Sequence, residues 1–322
     1  MDRVLIIGGF GQDGIILSKL LVEDGFQVTI TSRRPLDKHR AETKILNVDR
    51  LIKTVCLDPL NFSEILNAIK EIKPTLIFNF SAQTSVGKSF LYPSDTYESS
   101  INTMINILEA IRQYDKRIKI FHASSIECFG ENPVEDNLVI PRFNPISPYA
   151  SAKCVASDIL KSYREIYGLY AINGFLTNHE STLRNENFVI AKIFRQSFNI
   201  HKKQQKKIIL GDISVQRDWG YAAEYMFAIK EMMKRQKADD FILGTGQTMV
   251  LENFVKRAFE FYDLELEDFL EIDDRLSRKN ELQITRGTTS FVKQHINWEP
   301  NYFGLGLVDK LSEDFHDVLR NE

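Results

Sequence analysis

The chain reads Gly8-Gly9-Phe10-Gly11-Gln12-Asp13-Gly14 directly after an apolar run, Val4 to Ile7, and at the start of a segment with helical periodicity, Gly11 to Glu23. In such a strand–turn–helix unit, the three glycines at positions 8, 11 and 14 permit a tight turn, the close approach of a pyrophosphate and close helix–strand packing. The start of the helix offers free N–H groups and a positive dipole end to phosphate. The segment therefore predicts a dinucleotide-binding fold. The residues expected at the cofactor here are Gly8, Gly11, Gln12, Asp13 and Gly14.

Beyond this segment, short apolar runs alternate with amphipathic helical stretches through the first half of the chain. Further strands are predicted at Gln27–Thr31, Thr54–Leu57, Leu76–Phe80, Ile118–Ala123 and Tyr170–Leu176, and helices at Ser63–Ile72, Pro93–Gln113 and Pro148–Tyr167. Continuous apolar strands that alternate with helices are typical of a parallel sheet covered on both faces. We predict an α/β protein with a Rossmann-type doubly wound parallel sheet, whose ligands gather at the carboxyl ends of the strands.

The second half of the chain has a looser pattern. Its predicted helices are Phe188–Lys202, Trp219–Arg235, Leu251–Phe261 and Leu305–Leu319, and the segment from Asn178 to Asn187 is polar and loop-like. We expect residues 1–175 to form the dinucleotide-binding domain. Residues 176–322 are expected to form mainly a smaller α/β substrate-binding region, with some segments that return to the sheet.

Composition argues against several classes of protein. The 322 residues carry a formal net charge of −3, whereas general nucleic-acid binders usually show a basic field. The three cysteines form no spaced pair, which argues against a disulfide framework or a zinc site. No apolar run approaches the roughly 20 residues of a membrane span, and the first strand begins almost at Met1. We expect a cytoplasmic protein with no metal site, no membrane segment and no nucleic-acid partner.

The end of the second predicted strand indicates which dinucleotide is bound. An acidic residue there would bond the ribose 2′-hydroxyl of NAD, whereas arginine suits the 2′-phosphate of NADP. The chain has Thr31-Ser32-Arg33-Arg34 and no acid, and two arginines can hold a phosphate with their planar, forked donors. We predict NADP as the cofactor, with Arg33 and Arg34 as ligands; the alternative is two surface arginines in a loop. Asp58 is expected near the adenine.

A tyrosine and a lysine lie four residues apart in Ser147-Pro148-Tyr149-Ala150-Ser151-Ala152-Lys153. Ser147 suits a helix N-cap and Pro148 the first helical position, so Tyr149 and Lys153 share one helix face. A neighbouring ammonium and a positively charged nicotinamide would favour the phenolate of Tyr149. We predict Tyr149 as a catalytic base supported by Lys153, with both residues also in contact with the cofactor.

A polar cluster, His122 to Gly130, follows the fifth predicted strand. Within it, Ser125 can hydrogen-bond a reacting oxygen. Glu127 lies between the apolar residues Ile126 and Cys128, and partial burial would suit its carboxyl group both to take and to give a proton. We predict Ser125 and Glu127 as catalytic residues; the alternative for Glu127 is a surface acid on a loop.

These motifs resemble the extended short-chain dehydrogenase/reductase superfamily, and later segments resemble its GDP-mannose 4,6-dehydratase type. The segments that carry the second resemblance are Asn178-His179-Glu180-Ser181 with Arg184, Phe188-Val189 with Lys192-Ile193, Gly211-Asp212, Arg217-Asp218-Trp219-Gly220 with Tyr225, and Arg278-Lys279-Asn280-Glu281. The similarity covers nearly the whole chain. It implies a GDP-sugar substrate, with substrate-binding residues Asn178, Lys192, Arg217, Arg278 and Glu281.

The chain departs from this family at the expected sugar pocket. Ser125 stands where the family usually has threonine, and Ile126-Glu127-Cys128-Phe129-Gly130 stands where it has Ser-Glu-Leu-Tyr-Gly. Thr84-Ser85 replaces a Ser-His pair, and an Asp-Pro-[Ser/Thr]-Lys element is replaced around Gly287-Thr288-Thr289-Ser290. The hydroxyl and carboxylate functions are kept, so the resemblance still implies the reaction type. The hexose stays open between GDP-mannose and GDP-N-acetylglucosamine.

The resemblance implies an internal redox cycle: oxidation at C4 of the sugar, loss of water across C5 and C6, and return of the hydride to C6. The product is a 4-keto-6-deoxy sugar, and no external reductant is needed. A nucleotide-sugar epimerase or 4-reductase of the same superfamily is one alternative, and it needs no carboxylate at position 127. A non-catalytic NADP-binding protein is another, and it needs neither Tyr149 nor Lys153. The resemblance also implies a homodimer or homotetramer.

Overall fold

The computed structural model describes residues 2–33, 48, 50–132, 134–135, 139–277 and 280–321. The strands in these residues are β1 (Arg3–Ile7), β2 (Gln27–Ser32), β3 (Lys53–Cys56), β4 (Leu76–Asn79), β5 (Lys119–Ser125), β6 (Ala171–Leu176), β7 (Asn178–Glu180), β8 (Ile208–Leu210), β9 (Gln216–Arg217), β10 (Trp219–Tyr221), β11 (Asp240–Leu243), β12 (Met249–Val250), β13 (Leu270–Ile272) and β14 (Ile284–Thr285). The α-helices are α1 (Gln12–Glu23), α2 (Phe62–Ile72), α3 (Val86–Leu91), α4 (Pro93–Tyr97), α5 (Thr103–Tyr114), α6 (Pro148–Tyr167), α7 (Val189–His201), α8 (Ala222–Met232), α9 (Leu251–Glu260), α10 (Leu266–Phe269), α11 (Ser290–Ile296) and α12 (Gly304–Leu319). None of these helices has the length and apolar character that crossing a membrane requires.

In the described part of the chain, seven parallel strands form the main sheet, in the order β11-β6-β5-β4-β1-β2-β3. Val4 of β1 aligns with Val28 of β2 on one side and with Leu76 of β4 on the other. The chain therefore winds outward from β1 in one direction and from β4 in the other. This order confirms the predicted Rossmann-type doubly wound sheet.

Both faces of the sheet are packed with apolar side chains, which explains the uninterrupted apolar run in β1. Val4 and Ile6 contact the cluster that α1 and α8 cover, whereas Leu5 and Ile7 contact the cluster under α2 and α5. All four side chains are fully buried. Because β1 is buried on both faces, its residues do not alternate between apolar and polar, as expected for a parallel sheet.

The second half of the chain adds one strand, β11, to the main sheet and packs α8 and α11 against the apolar cluster on one of its faces, while its other helices surround a separate apolar cluster. β11 lies beside β6, with Asp240 aligned to Asn173. The separate cluster lies between α7, α9 and α12, where the rings of Phe194 and Phe315 stack with their centroids 4.8 Å apart. Phe254 is buried against the same ring of Phe194.

Two predicted segments begin differently in the structure because of a single strand pairing, and one predicted helix contains a π-helical turn. Trp219–Tyr221 aligns with Asn178–Glu180 as the parallel strands β10 and β7. The helix predicted from Trp219 therefore begins at Ala222, and the segment predicted as a loop begins with a strand. The single helix predicted over Pro93–Gln113 is divided by a π-helical turn, Glu98–Asn102, which takes up an extra residue.

Candidate active site

The carboxyl ends of β1, β2 and β4 open into a cleft of about 370 Å³. Its lining includes Gly8, Gly11, Thr31, Arg33, Leu57 and Ser81. The cleft lies where the strand order reverses, which is where sheets of this type bind ligands. A larger cleft of about 830 Å³ lies at the start of β6 and β11, beside Tyr170 and Asp240, and none of the predicted site residues lines it.

The glycine loop is shaped for the close approach of a diphosphate. Gly8 has a φ of 77°, in the left-handed region that favours glycine. A Cβ on Gly14 would lie 2.5 Å from the Cα of Gly9, so only glycine lets α1 pack this closely on the loop. α1 begins at Gln12, and no side chain caps it at Gly11. Its first N–H groups therefore suit an anion, and the loop fits the phosphates of a dinucleotide.

The ribose end of the cleft contains one of the two predicted arginines. Arg33 lines the cleft beside Thr31, whose Oγ1 accepts a hydrogen bond from the Gly8 N–H at 3.3 Å. Arg34 lies outside the described residues. Asp58 is exposed, and its Oδ1 accepts a hydrogen bond from the Leu60 N–H at 3.1 Å. The Asp58 side chain thus closes a turn at the rim of the cleft instead of lining it.

Ser125 ends β5 and begins a 3₁₀ turn, Ile126–Phe129. Its Oγ accepts a hydrogen bond from the Glu127 N–H at 3.2 Å, so the two predicted catalytic residues belong to one rigid turn. Ser125 is buried, and Glu127 is half-buried between neighbours that are fully buried. Glu127 is therefore not the exposed loop acid that the sequence also allowed.

α6 carries Tyr149 and Lys153 on the face that packs toward β5. Ser147 caps the helix, because its Oγ accepts a hydrogen bond from the Ala150 N–H at 3.1 Å. Tyr149 is 9% exposed and Lys153 is 5% exposed. Lys153 Nζ donates a hydrogen bond to the carbonyl oxygen of Ala123 at 2.7 Å. The lysine thus ties α6 to β5, two residues before Ser125.

Electrostatic interactions show that Tyr149, Ser125 and Glu127 face one site. Burial raises the pKa of Tyr149; a hydrogen bond with Ser125 lowers it, and the charge of Glu127 raises it. Burial also lowers the pKa of Lys153 to about 8. The pKa of Tyr149 is raised overall, with burial as the largest cause, so the neutral phenol is its resting form in the protein alone.

An ion pair beside the glycine loop was not predicted from the sequence. His179 Nε2 lies 3.1 Å from Asp13 Oδ1. Burial raises the pKa of Asp13, but the charge and hydrogen bond of His179, with Arg184, lower it to about 2. Burial likewise lowers the pKa of His179, yet Asp13 raises it above its ordinary value. Only the motif Asn178-His179-Glu180-Ser181 pointed to this segment, and the partner could not be read from it.

Arg184, which the sequence indicated only as part of the motif that begins at Asn178, is a cation that acts on Tyr149. Arg184 Nε is 3.4 Å from Glu180 Oε2, and its guanidinium carbon is 4.0 Å from the centroid of the Phe188 ring. Burial raises the pKa of Glu180, and Arg184 opposes that rise. The charge of Arg184 also lowers the pKa of Tyr149, so this arginine favours the phenolate.

The structure brings together two of the residues predicted to bind substrate. Arg217 is 5% exposed and forms an ion pair with Glu281 through Nη2 and Oε1. Arg217 Nη1 also donates a hydrogen bond to the carbonyl oxygen of Gln283 at 3.3 Å. Glu281 lines a third cleft, of about 540 Å³, together with Asp212 and Ser214.

The other predicted substrate-binding residues that the structure describes lie on two different elements. Lys192 is half-buried on α7, and its Nζ donates a hydrogen bond to the carbonyl oxygen of Ile209 at 2.6 Å. Asn178 begins β7, aligned with Trp219. Arg278 lies outside the described residues. Among the residues that the structure describes, no group of three His, Cys, Asp or Glu side chains is placed to hold a metal ion.

Comparison with known proteins gives one consistent family. The sequence matches the GDP-mannose 4,6 dehydratase family over residues 5–310. GDP-mannose 4,6 dehydratase 1 of Arabidopsis thaliana is 34% identical over 328 residues, which cover 99% of this chain and 91% of the relative.

Solved structures show the same fold. The dTDP-glucose 4,6-dehydratase of Bacillus anthracis, in complex with NAD, superimposes with a TM-score of 0.83 at 19% identity, covering 100% of this chain and 98% of that one. The Pseudomonas aeruginosa protein RMD, complexed with NADPH, gives a TM-score of 0.80 at 18% identity, covering 99% of this chain and 100% of that one.

The Asp13–His179 pair predicts a pH-dependent effect of Asp13→Asn on stability. Because the pKa of His179 is raised above 6.5, its contribution is present below that pH and is lost as the pH rises through the raised value. The contribution of Asp13 is present above 3.8 and is lost as the pH falls toward about 2. Urea unfolding should therefore show a larger destabilisation by Asp13→Asn near about pH 6 than near about pH 8.5.

Asp24→Asn serves as the control, because it removes an ion pair with Lys230 at the other end of α1 and involves no histidine. Its effect on the free energy of unfolding should be equal at the two pH values. An effect of Asp13→Asn that is also independent of pH would contradict the charged pair.

Proposed function

The chain belongs to the GDP-mannose 4,6-dehydratase family, and on that premise we propose that it converts a GDP-linked hexose to its 4-keto-6-deoxy form with NADP as cofactor. It is a nucleotide-sugar dehydratase, a lyase that uses a nicotinamide dinucleotide. The observation that carries the proposed chemistry is that Ser125, at the end of β5, hydrogen-bonds both the Tyr149 hydroxyl and the Glu127 N–H. These three residues are proposed to supply a base, a partner for the reacting oxygen and a carboxylate.

Tyr149 performs the first proton transfer in this proposal. When bound, the nicotinamide supplies a hydride acceptor for C4, a hydride donor for C6 and a positive charge near Tyr149. Tyr149 takes the proton of the C4 hydroxyl, and Ser125 hydrogen-bonds the same oxygen as it becomes a ketone. Lys153 holds the helix that carries Tyr149 against β5 through its hydrogen bond to the carbonyl oxygen of Ala123, and it is proposed to support the phenolate from the same helix face. The resting phenol ionises only when the added charge overcomes the effect of burial.

Glu127 performs the elimination. The C4 ketone acidifies the hydrogen at C5, and Glu127 removes it as a proton. The carboxyl group then delivers that proton to the departing C6 hydroxyl, which leaves as water. Half-burial and the rigid turn begun by Ser125 hold the carboxyl group at one position for both transfers. An epimerase or 4-reductase has no use for this carboxylate, and a non-catalytic NADP-binding protein has no use for Tyr149, so Glu127 and Tyr149 together favour the dehydratase.

The GDP moiety is proposed to bind on the second-half side of the site. Arg217, Lys192 and Asn178 provide cationic and amide donors for the diphosphate, with Arg278 as a further proposed ligand. Glu281 orients Arg217 through their ion pair and lines the neighbouring cleft, where it can accept hydrogen bonds from the nucleoside. These roles rest on the family resemblance and on the pairing of Arg217 with Glu281.

NADP is proposed over NAD because a cation lines the ribose end of the cleft. Arg33 lies beside Thr31 and Ser32, and none of these residues is acidic. A guanidinium attracts a 2′-phosphate and offers it forked donors. Gly8, Gly11, Gln12, Asp13 and Gly14 remain the proposed surroundings of the cofactor phosphates, with Arg34 and Asp58 as proposed contacts at the adenosine end.

The larger-scale assignments are also proposals. A division near residue 175 is supported by the separate apolar cluster of α7, α9 and α12. A homodimer or homotetramer is supported by exposed apolar side chains on and before the helices that flank the sheet, including Leu91, Val155 and Ile166. A cytoplasmic location agrees with three free cysteines.

Mass spectrometry of purified protein with GDP-mannose, and separately with GDP-N-acetylglucosamine, tests the substrate class and the hexose. With catalytic NADP⁺, loss of one water is expected from a GDP-hexose. Family membership favours GDP-mannose, and the departures from the family's sequence on either side of Glu127 leave GDP-N-acetylglucosamine as the second candidate. Turnover should be faster with NADP⁺ than with NAD⁺, and Arg33→Ala should reduce the difference between these two rates. No loss of water from either sugar, with the cofactor bound, would contradict the proposal.

Glu127→Gln separates oxidation from elimination. The variant should still oxidise C4 and accumulate reduced cofactor, seen in its near-ultraviolet absorbance, but lose dehydration by at least about 100-fold. Glu131→Gln, an exposed carboxyl four residues later, should stay within about twofold of wild type. Tyr149→Phe should block the earlier step and leave the bound cofactor oxidised. Dehydrated product from Glu127→Gln at nearly the wild-type rate would remove Glu127 from the mechanism.

A further inference from the structure

Side chains from two distant segments join the glycine loop to the start of the second half of the chain. Gln12 Nε2 donates a hydrogen bond to the carbonyl oxygen of His179 at 3.0 Å, across 167 positions of sequence. Ser181 Oγ donates a hydrogen bond to Gln12 Oε1 at 2.9 Å, and His179 Nε2 lies 3.1 Å from Asp13 Oδ1. Gln12, His179 and Ser181 are 6%, 7% and 7% exposed. These contacts are therefore shielded from water.

His179 is also fixed from its other sides. Its Nδ1 lies 2.7 Å from the carbonyl oxygen of Thr177, and its ring stacks on Tyr225 with the centroids 4.9 Å apart. Tyr225 is fully buried, and its hydroxyl forms a hydrogen bond of 2.5 Å with Thr177 Oγ1. The imidazole thus has one orientation, and the glycine loop and β7 cannot move independently without breaking buried contacts.

The connection continues to the residues proposed to hold the substrate. Asn178 and Glu180 of β7 align with Trp219 and Tyr221 of β10. Arg217 lies two positions before Trp219 in the same segment. Between them, Asp218 is fully buried and accepts hydrogen bonds from the N–H groups of Thr245, Gly246 and Gly287, which anchors the segment. Asn178 is therefore joined to the glycine loop through its neighbour His179, and Arg217 is joined to it through the pairing of β7 with β10.

We propose that Gln12, Asp13, His179 and Ser181 form a latch through which occupation of the glycine loop by the cofactor diphosphate fixes β7 and raises the affinity of the adjoining site for a nucleoside diphosphate. This inference rests on the proposed function, because it takes the glycine loop as the cofactor site and Asn178 and Arg217 as substrate ligands. The latch residues act by position: they hold β7 and need not touch the reacting sugar.

The physical basis is that the binding of the first ligand orders the glycine loop and β7, so the second ligand does not have to order them again. The glycine loop has little side-chain packing of its own at Gly11, which is exposed. A diphosphate at the start of α1 restrains the loop, and the latch passes that restraint to β7. The second ligand then meets a site that is already ordered, which gives positive cooperativity without a large structural change. Couplings of this kind amount to roughly 5–150-fold in affinity and are reciprocal.

Hydrogen–deuterium exchange of the full-length protein with and without NADP⁺ tests the first half of the proposal, and it requires no substrate. NADP⁺ should slow amide exchange in peptides that cover residues 8–14 and also in those that cover residues 178–184. Protection at 8–14 without any at 178–184 would overturn the latch. Absence of protection at residues 8–14 would contradict the cofactor assignment itself, so the two failures are distinguishable.

Titration calorimetry with GDP, in the presence and absence of NADP⁺, tests the second half. Wild-type protein should bind GDP at least about fivefold more tightly when NADP⁺ is present. Ser181→Ala removes the hydroxyl that holds Gln12, and His179→Gln removes the imidazole that pairs with Asp13. In both variants the ratio should fall below about twofold, while GDP binding without NADP⁺ stays near the wild-type value.

Ser312→Ala is the matched control, because Ser312 is equally buried and loses one hydrogen bond, from its Oγ to the carbonyl oxygen of Val308 on α12. The control should keep the wild-type ratio. A wild-type ratio near one, or an unchanged ratio in both latch variants, would overturn the proposal. Failure of GDP to bind in any state would instead contradict the proposed substrate class, and the exchange experiment would still decide on the latch.

Discussion

The close packing of α1 on the glycine loop is the contact on which the rest of the site depends. Gly14 and Gly9 approach so closely that a Cβ on Gly14 would lie 2.5 Å from the backbone of Gly9. This approach fixes the start of α1 at the carboxyl end of β1. Because the sheet is parallel, β4 and β5 end at the same edge, and the turn begun by Ser125 follows there. The uncapped start of α1 and the turn proposed to be catalytic are therefore placed at one edge by the same sheet.

The pKa values of the site residues are set by burial as much as by neighbouring charges. Burial raises the pKa of Tyr149 and lowers that of Lys153, so each group resists its charged form in the protein alone. A positive charge near Tyr149 opposes the effect of burial, since an opposite charge favours the ionised phenol. In the proposed mechanism, the base is therefore generated when the cofactor adds its charge to that of Arg184. The neutral resting state also avoids an unpaired buried charge, which is costly.

Local signals made much of this predictable. The glycine spacing and the apolar run before it indicated the fold, and Ser147 with Pro148 indicated the helix that carries Tyr149 and Lys153. Contacts between residues that lie far apart in the sequence could not be predicted, because neither sequence periodicity nor helix capping encodes them. The His179–Asp13 pair and the strand at Trp219–Tyr221 are of this kind. The sequence also could not show that burial raises the pKa of Tyr149, since desolvation depends on the whole packed environment.

The proposed reaction moves a hydride from C4 to C6 of the same sugar within one active site. Mass spectrometry and NMR of the product formed from a GDP-hexose carrying deuterium at C4 follow this transfer. We expect a product that has lost one water, retains the deuterium at C6 and has taken the hydrogen at C5 from solvent. A dehydrated product without deuterium at C6, or one that forms only with added reductant, would contradict this reaction.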